Sequence, residues 1–328
     1  MAESMHRLRA GILVSGLVTC IGLAEAQIFP SKPIRVITEF GAGTGGDIFL
    51  RAVAVPMGQA LGQALVVENR PGAAGILAAE AVVRAPADGY TLGVMSPNAL
   101  VTRRVLARAG SPVDVLKDLT PIAAMGEAVM LVIVQHGGPF KSMKELIEYA
   151  RANPGKLSYG SSGFGSIHHL AQEQVAMLSG ANLLHIPYKT GSDSVAALVA
   201  GQVPVTYAIL GSLGPQLRAG KVVPLARVGA TRLESMPQVP ALSELVPGFE
   251  TPPAWQGIFG PAGLPQPLLR RIHAEAISAL TSPAIRTKMA DIGFDLITDT
   301  PEEFSARISR QIELVSRIVR TAKIKPIE

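Results

Sequence analysis

From residue 34 onward, short apolar, β-branched runs alternate with longer stretches in which apolar positions recur every three or four residues. That is the pattern of strands alternating with helices around a parallel sheet. Residues 34–40 (IRVITEF) predict a strand and 47–61 the helix after it; 65–69 predict a second strand, and Asn69-Arg70-Pro71-Gly72-Ala73-Ala74-Gly75 turns into a helix over 76–84. A turn at Asp88-Gly89 leads to a third strand over 90–95. The run 130–134 (MLVIV) starts the pattern again, with a helix over 142–152, a strand at 157–159, a helix over 167–178, a strand at 184–186, a helix over 193–200 and a strand over 224–228. Pro237, Pro240, Pro247, Pro252 and Pro253 then crowd together, as where a chain crosses between lobes. Helices are expected over 267–280 and 301–321, the second opened by Thr300 as cap, Pro301 in the first position and the acids Glu302 and Glu303. Lobe 1 is expected to comprise residues 27–129, lobe 2 residues 130–253, and residues 254–328 to return to lobe 1 with the C-terminal helices.

Composition sharpens this picture at the amino terminus. His6, Arg7 and Arg9 precede an uncharged apolar stretch over 10–23, and Ala24-Glu25-Ala26 fits a small-x-small cleavage site. Residues 1–26 therefore read as a signal peptide, which implies a periplasmic protein. The single cysteine, Cys20, falls inside that segment, so the mature chain is expected to lack disulfides and thiol ligands, while lipid attachment at Cys20 stays open. No later stretch has the roughly 20 apolar residues that a membrane helix needs. The net charge of +5 is spread out, with no basic run longer than Arg103-Arg104 or Arg270-Arg271, so nucleic acid is not an expected partner.

Two glycine-rich loops, each between a strand and a helix, carry the candidate chemistry. In Phe40-Gly41-Ala42-Gly43-Thr44-Gly45-Gly46-Asp47 successive N–H groups can converge on an anion at the positive end of a helix, with Thr44 adding a hydroxyl and Asp47 placed as a helix cap. Gly41, Gly43 and Gly46 also satisfy G-x-G-x-x-G, with Glu68 at the end of the next strand, so a nucleotide-binding oxidoreductase is a genuine alternative. The second loop, Tyr159-Gly160-Ser161-Ser162-Gly163-Phe164-Gly165-Ser166, enters a helix in the other lobe. One such loop per lobe suits capture across a cleft. No G-x-S-x-G is present, and the adjacent His168 and His169 would point apart on a helix, so neither a serine hydrolase nor a metal site is expected. His169 is expected to orient its loop through a hydrogen bond.

These segments resemble a known family. Phe29-Pro30-Ser31-Lys32-Pro33-Ile34-Arg35, the loop ending in Asp47 with Arg51 beyond it, Val66-Val67-Glu68-Asn69-Arg70-Pro71-Gly72-Ala73 and Asp88-Gly89-Tyr90-Thr91-Leu92 are similar to the tripartite tricarboxylate transporter substrate-binding proteins, the Bug family. Tyr159-Gly160-Ser161, His169-Leu170-Ala171, Pro187-Tyr188-Lys189, Gly201-Gln202-Val203, Trp255-Gln256-Gly257, Pro261-Ala262-Gly263 and Thr300-Pro301-Glu302-Glu303-Phe304 continue the resemblance along essentially the whole mature chain.

The resemblance implies an α/β fold like that of type II periplasmic binding proteins (Venus flytrap), with a central mixed β-sheet flanked by helices in each lobe. It implies a monomer without enzymatic activity, cofactor or metal. It also implies a small carboxylate as ligand and a membrane permease of one large and one small subunit as partner. Carried over by position, Phe40, Ala42, Gly43 and Thr44 would contact the ligand from lobe 1, and Ser162, Gly163, Gly165, Ser166 and His169 from lobe 2, with Tyr188 near the pocket. Thr44 stands where the family commonly has glycine, and Ala208 and Pro204 replace common aspartates, which argues against an amino-acid ligand. A sensor that signals to a membrane receptor is a further alternative.

Overall fold

The computed structural model describes residues 29–108 and 110–326, so the expected signal peptide and Cys20 lie outside the described residues. In the first lobe the chain forms β1 (Ile34–Thr38), α1 (Gly45–Leu61), β2 (Leu65–Asn69), α2 (Ile76–Val83), β3 (Thr91–Met95), a wide helical turn (Asn98–Thr102) continuing into α3 (Arg103–Leu106), and β4 (Leu119–Ala128). The second lobe follows with β5 (Met130–Gln135), α4 (Met143–Ala152), β6 (Ser158–Ser161), α5 (Ile167–Ser179), β7 (Leu184–Pro187), α6 (Gly191–Val199), β8 (Val205–Ile209), α7 (Leu210–Arg218), β9 (Val222–Val228) and α8 (Leu242–Leu245). The chain then returns through β10 (Trp255–Pro261), α9 (Gln266–Thr281), α10 (Pro283–Asp291), β11 (Phe294–Leu296) and α11 (Pro301–Thr321).

Two sheets result, ordered β11-β4-β10-β3-β1-β2 and β7-β6-β8-β5-β9. The parallel arrangement expected from strand–helix alternation holds for β3-β1-β2 and for β7-β6-β8. Elsewhere the sheets are mixed: β10 runs antiparallel between β3 and β4, and β5 antiparallel between β8 and β9.

Alternation along the strands builds the core. Val36 and Ile37 point to opposite faces of the first sheet; Val36 packs with Phe49, Ile258 and Ile272, Ile37 with Met95, Phe259 and Phe304. The second face is closed by α11, and there the indole N–H of Trp255 finds a buried partner, donating to Gln311 Oε1 at 2.6 Å. In the second sheet Val132, Tyr159, Val205 and Tyr207 share one core.

The lobes meet at Val129, between β4 and β5. Its N–H donates to Gly293 O at 2.9 Å, and its carbonyl accepts from Leu210 N–H at 2.8 Å. One residue thus ties the start of α7 to the turn before β11.

Candidate functional site

A cleft of about 760 Å³ lies between the lobes, within the size range of small-molecule sites. Its walls carry Phe40, Gly45, Gly46, Ser96, Asn98 and Thr102 from the first lobe, Ser162, Ser166, His168, Gly191, Ser192, Gly211 and Ser212 from the second, and Trp255 and Gln256 from the returning strand. The first turns of α1, α5, α6 and α7 therefore all open onto it. Their N–H groups have no acceptor within their own helices, and each helix presents its positive end. Among the described residues, none lining the cleft is an Asp, Glu, Lys or Arg.

The first loop is shaped by its own hydrogen bonds. Gly43, at φ 78°, takes the left-handed conformation glycine tolerates, and its N–H donates to Asp47 Oδ2 at 2.9 Å. The Thr44 hydroxyl donates to Gly41 O at 2.8 Å. Asp47 was expected as the helix cap; α1 instead begins at Gly45 with Thr44 in the cap position, and Asp47 sits in the first turn. Arg51 Nε donates to both Asp47 oxygens at 3.1 and 3.0 Å, and Asn69 Nδ2 donates to Asp47 Oδ1 and to Phe40 O, each at 2.8 Å. Burial alone would raise the Asp47 pKa, but the bonds from Arg51, Asn69 and Gly43 outweigh it and hold the carboxyl below its ordinary value. Phe40 lies so close over Gly46 that a Cβ there would come within 2.5 Å of the ring.

The second loop rests on histidines. Gly165 N–H donates to His169 Nδ1 at 3.1 Å, the His169 ring stacks on His185 with centroids 4.2 Å apart, and His185 Nε2 lies 2.5 Å from Ser161 Oγ. Ser166 caps α5 by accepting from His169 N–H at 3.3 Å. Burial pushes the pKa of His168, His169 and His185 each down to about 4, so all three are neutral at physiological pH. Gly165 touches the other lobe: a Cβ on it would stand 2.4 Å from Leu106 Cδ1.

Of the residues expected to contact ligand, Phe40, Ser162 and Ser166 line the cleft. Ala42, Gly43 and Thr44 are exposed and are not among the lining residues, while Gly165 and His169 are buried. Gly163 N–H is held by Ser161 Oγ at 3.0 Å, and Tyr188 is half-buried against the core of the second lobe. Sequence reasoning missed Ser96, Asn98, Ser192, Ser212 and Gln256. A usable signal existed at Thr190-Gly191-Ser192-Asp193, where Thr190 and Asp193 form a capping box around the start of α6.

Two packed α/β lobes flank a cleft whose walls mix apolar side chains with hydroxyls and carry no charged side chain, an arrangement that suits a solute-binding protein. The chain matches the model of the tripartite tricarboxylate transporter family receptor over residues 49–324, and it belongs to that family. It is 36% identical to the UPF0065 protein in the gbd 5′ region of Cupriavidus necator over 287 residues, covering 86% of each chain. Among solved structures it resembles Rpa4515 of Rhodopseudomonas palustris with adipate, at 30% identity and a TM-score of 0.77, covering 91% of this chain and 100% of that one. It also resembles MatC of Rhodopseudomonas palustris with bound malate, at 28% identity and a TM-score of 0.72, covering 89% of this chain and 100% of that one. The dinucleotide reading of the first loop is not favoured by these relatives. In addition, Glu68 is engaged by Arg35 and Arg70.

Proposed function

We propose that this protein is a periplasmic receptor that captures a small carboxylate between its lobes and delivers it to a membrane permease of one large and one small subunit, acting as a monomer and catalysing no reaction. The observation that carries this reading is the convergence of the first turns of α1, α5, α6 and α7 on a cleft without charged side chains. Helix N-termini and hydroxyls offer donors to an anion without fixing its position through one strong ion pair. Solved relatives with adipate and malate support the same ligand class.

In this reading Phe40, Ser162 and Ser166 contact the ligand, whereas Ala42, Gly43, Thr44, Gly163, Gly165, His169 and Tyr188 keep the two loops in shape. The lobe boundaries fall at 129/130 and 253/254, and the ligand draws the lobes together about the Val129 crossing. Residues 1–26 serve as a cleaved export signal.

The test is a thermal-shift and calorimetric screen of the mature chain against mono-, di- and tricarboxylates, with their amides and alcohols as controls. A ligand selective for the folded state raises the melting temperature by mass action. Acids that shift the melt where their amides do not would support the reading; a panel in which only neutral or cationic compounds bind would overturn it.

A further inference from the structure

Phe164, between the last two glycines of the second loop, borders the cleft and is 63% exposed. The other exposed large apolar side chains among the described residues, such as Val55, Val66, Leu77 and Leu184, do not line it. An apolar side chain standing singly on an outer surface is ordinary, but on the wall of a ligand cleft it is area that a bound molecule can cover.

The ring has a fixed orientation. Its neighbours are the imidazoles of His169 and His185, stacked on each other with centroids 4.2 Å and planes 10° apart. Phe164 stands across both, at 5.4 Å and 83° from His169 and at 4.8 Å and 80° from His185. A ring perpendicular to two stacked rings, and this close beside them, sets one of its faces against their edges, a favoured geometry for aromatic pairs. Its other face is left uncovered. The backbone that carries it is pinned as well: Gly165 N–H donates to His169 Nδ1 at 3.1 Å, and a Cβ on Gly165 would stand 2.4 Å from Leu106 Cδ1 in the first lobe. His185 is tied in turn to the loop, with Nε2 lying 2.5 Å from Ser161 Oγ.

The first loop offers a second ring. Phe40 lines the same cleft from the other lobe and is fixed over Gly46, where a Cβ would come within 2.5 Å of it. Each lobe therefore brings one aromatic ring beside a helix start that can hold an anion, Phe40 beside α1 and Phe164 beside α5. Rings held in place favour a flat partner, because a planar ring stacks with its whole face and gains more than its buried area alone would give.

We propose that the ligand is a carboxylate with an aromatic body, and that Phe164 is a specificity-determining residue that stacks on that body. The inference rests on the carboxylate reading above and adds what the anion is attached to. An aliphatic acid would fill the same volume without matching the two faces.

The test uses matched pairs of probes: benzoate with cyclohexanecarboxylate, and terephthalate with its trans ring-saturated analogue. Calorimetric titration is carried out on the mature chain and on Phe164→Leu, which keeps apolar bulk and removes the ring. In at least one pair the aromatic acid is expected to bind roughly tenfold or more tightly than its saturated partner, as for a contact with each of two rings. Phe164→Leu is expected to cut that preference to about threefold or less, with Phe40 supplying what remains. A loop that merely lost its shape would weaken both members of a pair and leave their ratio unchanged, so an unchanged ratio overturns the role of Phe164. Saturated acids that match their aromatic partners in the wild-type chain overturn the proposal whether or not the variant folds. If neither pair binds while other acids do, the aromatic body is refuted and the carboxylate reading stands. If no acid binds, or benzamide binds as well as benzoate, the carboxylate reading itself fails.

Discussion

The backbone N–H of Gly43 donates to Asp47 Oδ2 at 2.9 Å, so the glycine loop is closed by its own helix and not held open for a ligand at that amide. Asp47 is 2% exposed and also accepts from Arg51 and Asn69. Removing it leaves Gly43 N–H and one of the two Asn69 Nδ2 hydrogens without an acceptor and Arg51 without its ion pair, and Asp47→Ala is expected to cost about 2 kcal/mol. Because its folded pKa lies below the unfolded value, the stabilisation is present above the unfolded pKa of about 3.9 and fades as pH falls through the folded one. Urea unfolding at pH 7 and pH 3 checks this. A wild-type advantage that persists undiminished at pH 3 would contradict it.

Much of this architecture was legible in the sequence where one signal dominated. Uninterrupted apolar runs such as Met130 to Val134 stand out because a strand covered on both faces has no polar side to show. The capped start of α11 was equally plain. By contrast, β4 (LTPIAAMGEA) and β10 (WQGIFGP) carry Gly, Ala and Pro, which have low strand propensity, and tertiary pairing alone makes them strands. With β10 unread, the Trp255 and Gln256 wall of the cleft could not be placed. Helix α7 was missed because its sequence (LGSLGPQLR) contains two glycines and a proline, and with it went Gly211 and Ser212. The two loops were visible as glycine patterns, but which face they turn to the cleft depends on the local hydrogen bonds of Asp47 and His169.

Glu39 adds a pH dependence of opposite sign. Its Oε1 accepts Ser96 N–H at 2.6 Å, while a Cβ on Gly75 would lie 1.6 Å from Oε2, so the carboxyl is packed behind the Ser96 wall. Burial pushes its pKa up to about 7, against the pull of its bonds with Ser96. Between the unfolded value of about 4.3 and that figure, the folded chain keeps a proton the unfolded chain releases. This contribution is complete below about pH 4.3, is lost as pH rises through about 7, and is at most about 4 kcal/mol, reduced by the partial exposure of the residue. Glu39→Gln should flatten the profile. Urea midpoints at pH 5 and pH 8 would show it, and parallel profiles for both chains would refute it.

Deep in the second lobe, the Tyr207 hydroxyl donates to Gln172 Oε1 at 2.6 Å, and Gln172 Nε2 donates to Ala181 O at 3.1 Å. This buried link joins β8 to α5. Tyr207→Phe leaves the Gln172 oxygen unsatisfied in an apolar core, at an expected cost of about 1–3 kcal/mol. Chemical denaturation measures it directly; a loss under about 0.5 kcal/mol would mean that the oxygen finds another partner.

The sharpest test of lobe closure is Gly211→Ala. Gly211 belongs to α7, and a Cβ on it would stand 2.3 Å from Ile292 O, a backbone atom on the first-lobe side. That carbonyl cannot rotate aside as a side chain would, and the Val129 bonds to Gly293 and Leu210 hold the adjoining backbone. Both Gly211 and Ile292 border the cleft, so an added methyl wedges the lobes apart at that end. Overpacking of this kind costs about 1–3 kcal/mol. If closure is coupled to capture, ligand binding must supply that energy, and affinity for a ligand that shifts the melt in the carboxylate screen should fall by roughly tenfold, since each 1.4 kcal/mol is a factor of ten. Small-angle scattering should then show less compaction on adding that ligand than in the wild-type chain. Wild-type affinity and compaction in Gly211→Ala would mean that the ligand is held without the lobes closing at this contact.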